Sequence, residues 1–148
     1  AAPLNKGNFG MGVYLSPEHA EYDKGWTLDD NWAPHDGLPA REGFVHTKML
    51  TTSTPGTALS LSFTGTAVGI AIVSGADAGT ILYSIDRGDE KKLDLFTAWS
   101  DQLHLPWYLI LGKDLKPGKH ILHLKISGEK NSRSKGNACR IVYFLVNG

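Results

Sequence analysis

From Phe44 onward the chain alternates short runs of β-branched and aromatic residues with glycine, proline and aspartate turns, and this rhythm restricts the fold more than any other feature. Leu59, Leu61 and Phe63 alternate with Ser60 and Ser62. Leu122, Leu124 and Ile126 alternate with His123 and Lys125. A period of two puts one side-chain set on each face of an extended strand, so both segments read as strands with one apolar and one polar face. The same reasoning gives eight candidate strands: Phe44–Leu50, Ala58–Phe63, Ala67–Val73, Thr80–Asp86, Lys91–Leu95, Leu105–Leu111, His120–Ser127 and Arg140–Val146. Pro55-Gly56, Asp86-Arg87-Gly88 and Pro117-Gly118 supply the fixed or positive backbone dihedrals that chain reversals require. Parallel crossovers need a dozen or more residues, usually helical, and the intervals here are too short. The expected fold is therefore an all-β antiparallel β-sandwich with Greek-key connections.

One short helix is expected near the start. Ser16 is a candidate cap, Pro17 suits a first turn, Glu18 and Glu21 favour the helix dipole, and Gly25 is a stop signal. The stretch 23–41 mixes Trp26, Trp32, Pro34 and Pro39 with Asp29, Asp30 and Asp36, and reads as an ordered loop. Ser127–Asn137 reads as an exposed polar loop. The chain is expected to form one domain: residues 1–42 as a loop and short-helix region wrapping the sandwich, and 43–148 as its core. Its 148 residues suffice for a core without disulfide staples.

Fifteen basic and fifteen acidic residues leave a net charge of zero, so no global field draws the protein to nucleic acid or an anionic membrane. No apolar stretch is long enough to span a bilayer as a helix. The single cysteine, Cys139, rules out an internal disulfide and a cysteine-based zinc site, and its apolar surroundings mark it as a buried small hydrophobe. His120 and His123, three apart on a strand, point to opposite faces and do not ligate jointly. No metal and no cofactor is expected. Asp77, between Gly75 and Gly79, is a candidate for calcium or a sugar hydroxyl, weighed against a local backbone cap.

The densest concentration of chemistry is the run Trp99-Ser100-Asp101-Gln102-Leu103-His104-Leu105-Pro106-Trp107-Tyr108. Sugar recognition needs flat aromatic faces against the C–H face of a pyranose, with polar groups to bond its hydroxyls. Trp99, His104, Trp107 and Tyr108 fit the platform, and Asp101 and Arg133 fit the hydroxyl partners. The competing interpretation makes Trp99 and Trp107 core residues. Asp101 and His104 also have an Asp-x-x-His spacing that orients a general base. No Gly-Asp-Ser or Gly-x-Ser-x-Gly nucleophile turn accompanies them, so no catalytic residue is assigned.

Several blocks carry a family resemblance: Phe63 to Ile70, Gly75 to Gly79, Tyr83 to Asp86, Asp94 to Ser100, Leu103 to Tyr108, and Ser134 to Ile141. Together they resemble the jelly-roll accessory domain of bacterial SGNH/GDSL-type hydrolases and esterases. The resemblance implies a jelly-roll sandwich of about eight strands and a non-catalytic role in binding or positioning a polysaccharide or oligosaccharide. It also implies an adjacent SGNH hydrolase domain as partner and an extracytoplasmic location: periplasmic, secreted or at the cell surface. The alternative is a structural module that packs on a hydrolase domain or mediates dimerisation, burying the same aromatics in an interface.

Overall fold

The computed structural model describes residues 13–29, 48–97, 100 and 104–147. Eleven strands lie among them: β1 (Val13–Leu15), β2 (Glu21–Tyr22), β3 (Thr27–Asp29), β4 (Met49–Thr52), β5 (Ala58–Thr64), β6 (Ala67–Ser74), β7 (Thr80–Ile85), β8 (Lys91–Asp94), β9 (Leu105–Gly112), β10 (Lys119–Ile126) and β11 (Cys139–Asn147). They form two sheets, and every strand pairing is antiparallel. The first sheet runs β3-β4-β11-β6-β9, with β1 also on β11, and the second runs β2-β5-β10-β7-β8. After β4, each strand lies in the opposite sheet from its predecessor, except for β8, which pairs with β7.

The period-two pattern decides which side chains enter the core. In β5, Leu59, Leu61 and Phe63 are buried, and in β10 Leu122, Leu124 and Ile126 are buried. These meet Leu50, Ile70, Ile72, Ile141 and Phe144 from the first sheet in one continuous cluster. Each such side chain stabilises the fold by about 1.5–3 kcal/mol when fully buried. The strand β6 is buried along its whole length, on both faces. Val68, Ile70 and Ile72 join the main cluster on one face, while on the other Val73 packs with Met49 and Val142 and Ala67 with Leu145, Tyr143 lying against both groups, which explains why the sequence of β6 is apolar without alternation.

The turns follow their chemistry. Asp86 (φ 53°) and Arg87 (φ 63°) both have positive φ between β7 and β8, and the Gly88 N–H donates to the Ile85 carbonyl at 2.9 Å. That is the pattern of a type I′ turn, whose twist suits a tight hairpin. Asp86 tolerates it because its carboxylate is held from outside the turn: Oδ1 accepts from the Ile121 N–H at 2.8 Å and Oδ2 bonds His120. Gly56 (φ 87°) and Gly118 (φ 138°) complete the two Pro-Gly reversals.

The N-terminal region departs from expectation. The helix expected from Ser16 toward Gly25 is a single 3-10 turn, Pro17–His19, and the Ser16 side chain makes no capping bond. Ala20 is already extended and buried, and Glu21–Tyr22 pair with Ser60 and Leu59 of β5. Completing the edge of the second sheet outweighs a helix with one usable turn. Likewise, Thr27–Asp29 form a strand on β4 within the stretch read as loop, while Trp32 and the Phe44–His46 start of the first expected strand lie outside the described residues.

Candidate functional site

Two of the aromatic residues singled out in the sequence separate across the first sheet. Trp107 and Tyr108 are neighbours on β9 and so point to opposite faces. Trp107 packs against the core cluster, whereas Tyr108 is 51% exposed on the outward face of the first sheet. His104 is only 2% exposed, beside Gly75, where the glycine leaves room for the imidazole. Arg133 lies in the β10–β11 loop with its guanidinium 5.5 Å from the centroid of the Phe96 ring, a cation–π contact. Trp99 and Asp101 lie outside the described residues.

The loops around His104 are tied by buried polar groups. The Ser74 hydroxyl donates to the Leu95 carbonyl at 2.5 Å and is 2.7 Å from the Ser100 hydroxyl. With the Ser74 proton so committed, Ser100 donates to Ser74 and accepts from the Thr97 N–H at 2.7 Å. Asp77 bonds both terminal nitrogens of Arg140, at 2.8 and 2.6 Å. Its carboxylate is thus engaged by a guanidinium fork. Among the described residues no group of three or more His, Cys, Asp or Glu is placed to hold a metal ion. Cys139 is buried, and loss of solvation pushes its thiol up to about 12 despite the nearby Arg140 charge.

The other end of the sandwich carries a cleft of about 730 Å³ between the sheets, lined by Val13, Leu15, Phe63 and Val146, with Asp86 and His120 at its rim. His120 faces this cleft, whereas His123 is exposed on the opposite face of β10, as the strand period requires. The His120 ring bonds the Asp86 carboxylate through Nδ1 and the Lys116 carbonyl, at 2.6 Å, through Nε2. Both partners are acceptors, so the ring satisfies both only as the doubly protonated imidazolium. These bonds raise the His120 pKa, and the same histidine lowers that of Asp86.

The two outward faces differ sharply. On the second sheet, Lys125 pairs with Glu90 at 3.5 Å and Lys92 pairs with Glu129, the solvated pattern of an ordinary surface. Over β1, β6, β9 and residues 142–147 of β11, by contrast, the sequence contains no Asp, Glu, Lys or Arg. There the register aligns Tyr143, Ala71 and Tyr108 across three strands, with Leu145, Gly69 and Ile110 in the next row and Tyr14 opposite Leu145. Tyr14 (45%) and Ile110 (51%) are exposed, and the Tyr14 and Tyr143 rings lie 5.5 Å apart, centroid to centroid. Desolvation, and then the neighbouring phenols of Tyr14 and Tyr143, raise the Tyr108 pKa.

Of the residues on this face, the sequence reading named Tyr108 and did not name Tyr14, Ile110 or Tyr143. The available signal was the outward set of β9, Tyr108 and Ile110, left apolar opposite an already inward-facing Trp107, Leu109 and Leu111.

No family model and no curated protein matches the chain. Solved structures do match its fold. A two-domain esterase active on acetylated mannans, co-crystallised with mannopentaose, superposes with a TM-score of 0.68 at 17% identity, over 100% of this chain and 39% of that one. An exo-β-1,3-galactanase from Phanerochaete chrysosporium gives 0.58 at 14% identity, over 90% of this chain and 29% of that one. A Paenibacillus xanthan lyase gives 0.58 at 20% identity, over 91% and 13%. The chain therefore has the β-sandwich fold found within larger carbohydrate-active enzymes and spans well under half the length of each.

Proposed function

We propose that this chain is a jelly-roll accessory module of a carbohydrate-active esterase of the SGNH/GDSL type, acting outside the cytoplasm to bind or position carbohydrate beside a catalytic domain. The observation that carries the proposal is the superposition of the whole chain on about two fifths of a two-domain esterase acting on acetylated mannans. The strand orders β4-β11-β6-β9 and β5-β10-β7-β8 support the jelly-roll assignment, since interleaving of consecutive strands between two four-stranded sheets is the two-Greek-key arrangement. Residues 43–148 supply those eight strands, and the N-terminal region adds strands at the margins of both sheets.

A non-catalytic role is supported by the placement of His104, packed in the interior beside Gly75 and away from solvent-borne substrate. Of the four described residues first considered for sugar contact, His104, Trp107, Tyr108 and Arg133, the last two are exposed. The test is calorimetric titration of the 148-residue chain with mannopentaose, together with an assay for release of acetate from acetylated mannan. Weak saturable binding without ester hydrolysis is expected. Turnover above the uncatalysed rate, or no heat of binding with any neutral glycan, would remove the proposal.

A further inference from the structure

We infer that the tyrosine strip on the outward face of the first sheet, formed by Tyr14, Tyr108, Tyr143 and Ile110, is the surface that takes the glycan, and that it selects an uncharged, extended polysaccharide chain. This inference rests on the accessory-module reading and adds the location of the site and the class of ligand.

Tyrosine is suited to such a ligand because its ring offers a flat apolar face while its hydroxyl remains able to bond water or sugar. Tyr108 and Tyr143 stand on β9 and β11 with β6 between them, so their Cα atoms lie roughly 10 Å apart, two strand spacings. Between them Ala71 and Gly69 are buried, as is Leu145, so the exposed apolar surface of the strip is that of Tyr14, Tyr108 and Ile110, with Tyr143 half-buried beside them. The glycine is required by the close approach of the strands: a Cβ at Gly69 would lie 2.5 Å from the Leu109 carbonyl oxygen. Aromatic faces on that spacing contact successive parts of an extended chain rather than one small molecule.

Charge restricts the ligand further. With no acidic or basic residue in β1, β6, β9 or residues 142–147, these strands provide no cation for a uronate or sulfate and no carboxylate for an amine. The size of the strip argues against a protein occupant. Four partly exposed side chains amount to roughly 300–400 Å², against about 800 Å² per partner in a stable protein interface. A second copy of this chain or a hydrolase domain would need far more contact than the strip provides.

The experiment measures binding of mannopentaose and of an oligogalacturonate of equal length to the 148-residue chain, at low and high salt. The variants are Tyr108→Ala, Tyr108→Phe, Ile110→Lys and, as a control on the other sheet, Lys92→Ala, each checked for unchanged thermal unfolding. The wild-type chain is expected to bind the neutral sugar with no salt dependence and to ignore the acidic one. Tyr108→Ala and Ile110→Lys should each weaken binding about five- to tenfold. Tyr108→Phe should stay within about twofold and Lys92→Ala should change nothing. Binding of the neutral sugar that survives Tyr108→Ala and Ile110→Lys overturns the location alone and leaves the accessory-module reading standing. Preference for the acidic sugar overturns the ligand class. Failure of wild type to bind any neutral glycan overturns both.

Discussion

Replacing Gly75 with alanine tests whether His104 is an interior packing residue. A Cβ built at position 75 would lie 2.5 Å from His104 Nδ1 and 2.7 Å from Cε1. Ordinary contact between such atoms is about 3.5 Å, so the ring must retreat by about 1 Å. The imidazole is 2% exposed, so the ring cannot simply turn into solvent. Overpacking of this kind costs about 1–3 kcal/mol, which for a chain of this length lowers Tm by about 3 °C per kcal/mol. Urea unfolding followed by tryptophan fluorescence, to which buried Trp26 contributes, gives the change directly. The decisive arm is the double variant. His104→Ala removes the ring and is itself destabilising, but in that background the methyl of Gly75→Ala enters vacated space and should add little further cost, a coupling of about 1–3 kcal/mol. A Gly75→Ala chain within about 0.5 kcal/mol of wild type, or strictly additive variants, would refute the packing argument.

Three further outcomes follow from the polar contacts. Arg140→Ala leaves the Asp77 carboxylate without its fork; with Arg140 13% and Asp77 36% exposed, solvent offsets part of the loss, and about 1–3 kcal/mol of destabilisation is expected in urea, less for Asp77→Asn. The Asp86–His120 pair contributes fully between the ordinary aspartate and histidine values, 3.8 and 6.5, because its aspartate pKa is lowered and its histidine pKa raised. The contribution fades as pH falls through the folded-state Asp86 pKa or rises through that of His120, so the difference in Tm between wild type and His120→Ala should shrink at both extremes; a constant difference from pH 3 to about 9 would contradict the linkage. Cys139 should react with a disulfide reagent only at the rate of unfolding, and rapid labelling of the native chain would contradict its burial and raised pKa.

The strands were legible because their apolar periodicity and turn chemistry agree. Ala58–Phe63 is observed as Ala58–Thr64, and His120–Ser127 as Lys119–Ile126. The edge strands β1, β2 and β3 were not legible, since two or three residues carry no period and acquire their conformation from the partner they join. The helix signals at Ser16 and Pro17 were genuine locally but sustain a single turn. The candidate site was harder still. Residues adjacent in sequence, Trp107 and Tyr108, separate across a sheet, whereas Tyr108 gains Tyr143 and Tyr14 from strands far away in the chain. That grouping depends on strand order and register, which the pattern of any single strand does not contain.

The central position of β11 governs how the molecule is made. Its first half bonds β4 and its second half β1, while β6 lies along its other side, so it is the seam that unites the early and middle parts of the chain. During synthesis the first sheet stays split until residues 139–147 leave the ribosome, and the apolar margins of β4 and β6 wait unpaired. Such distant closure predicts slow folding, in milliseconds to seconds, and makes trimming at this strand far more damaging than trimming at β8.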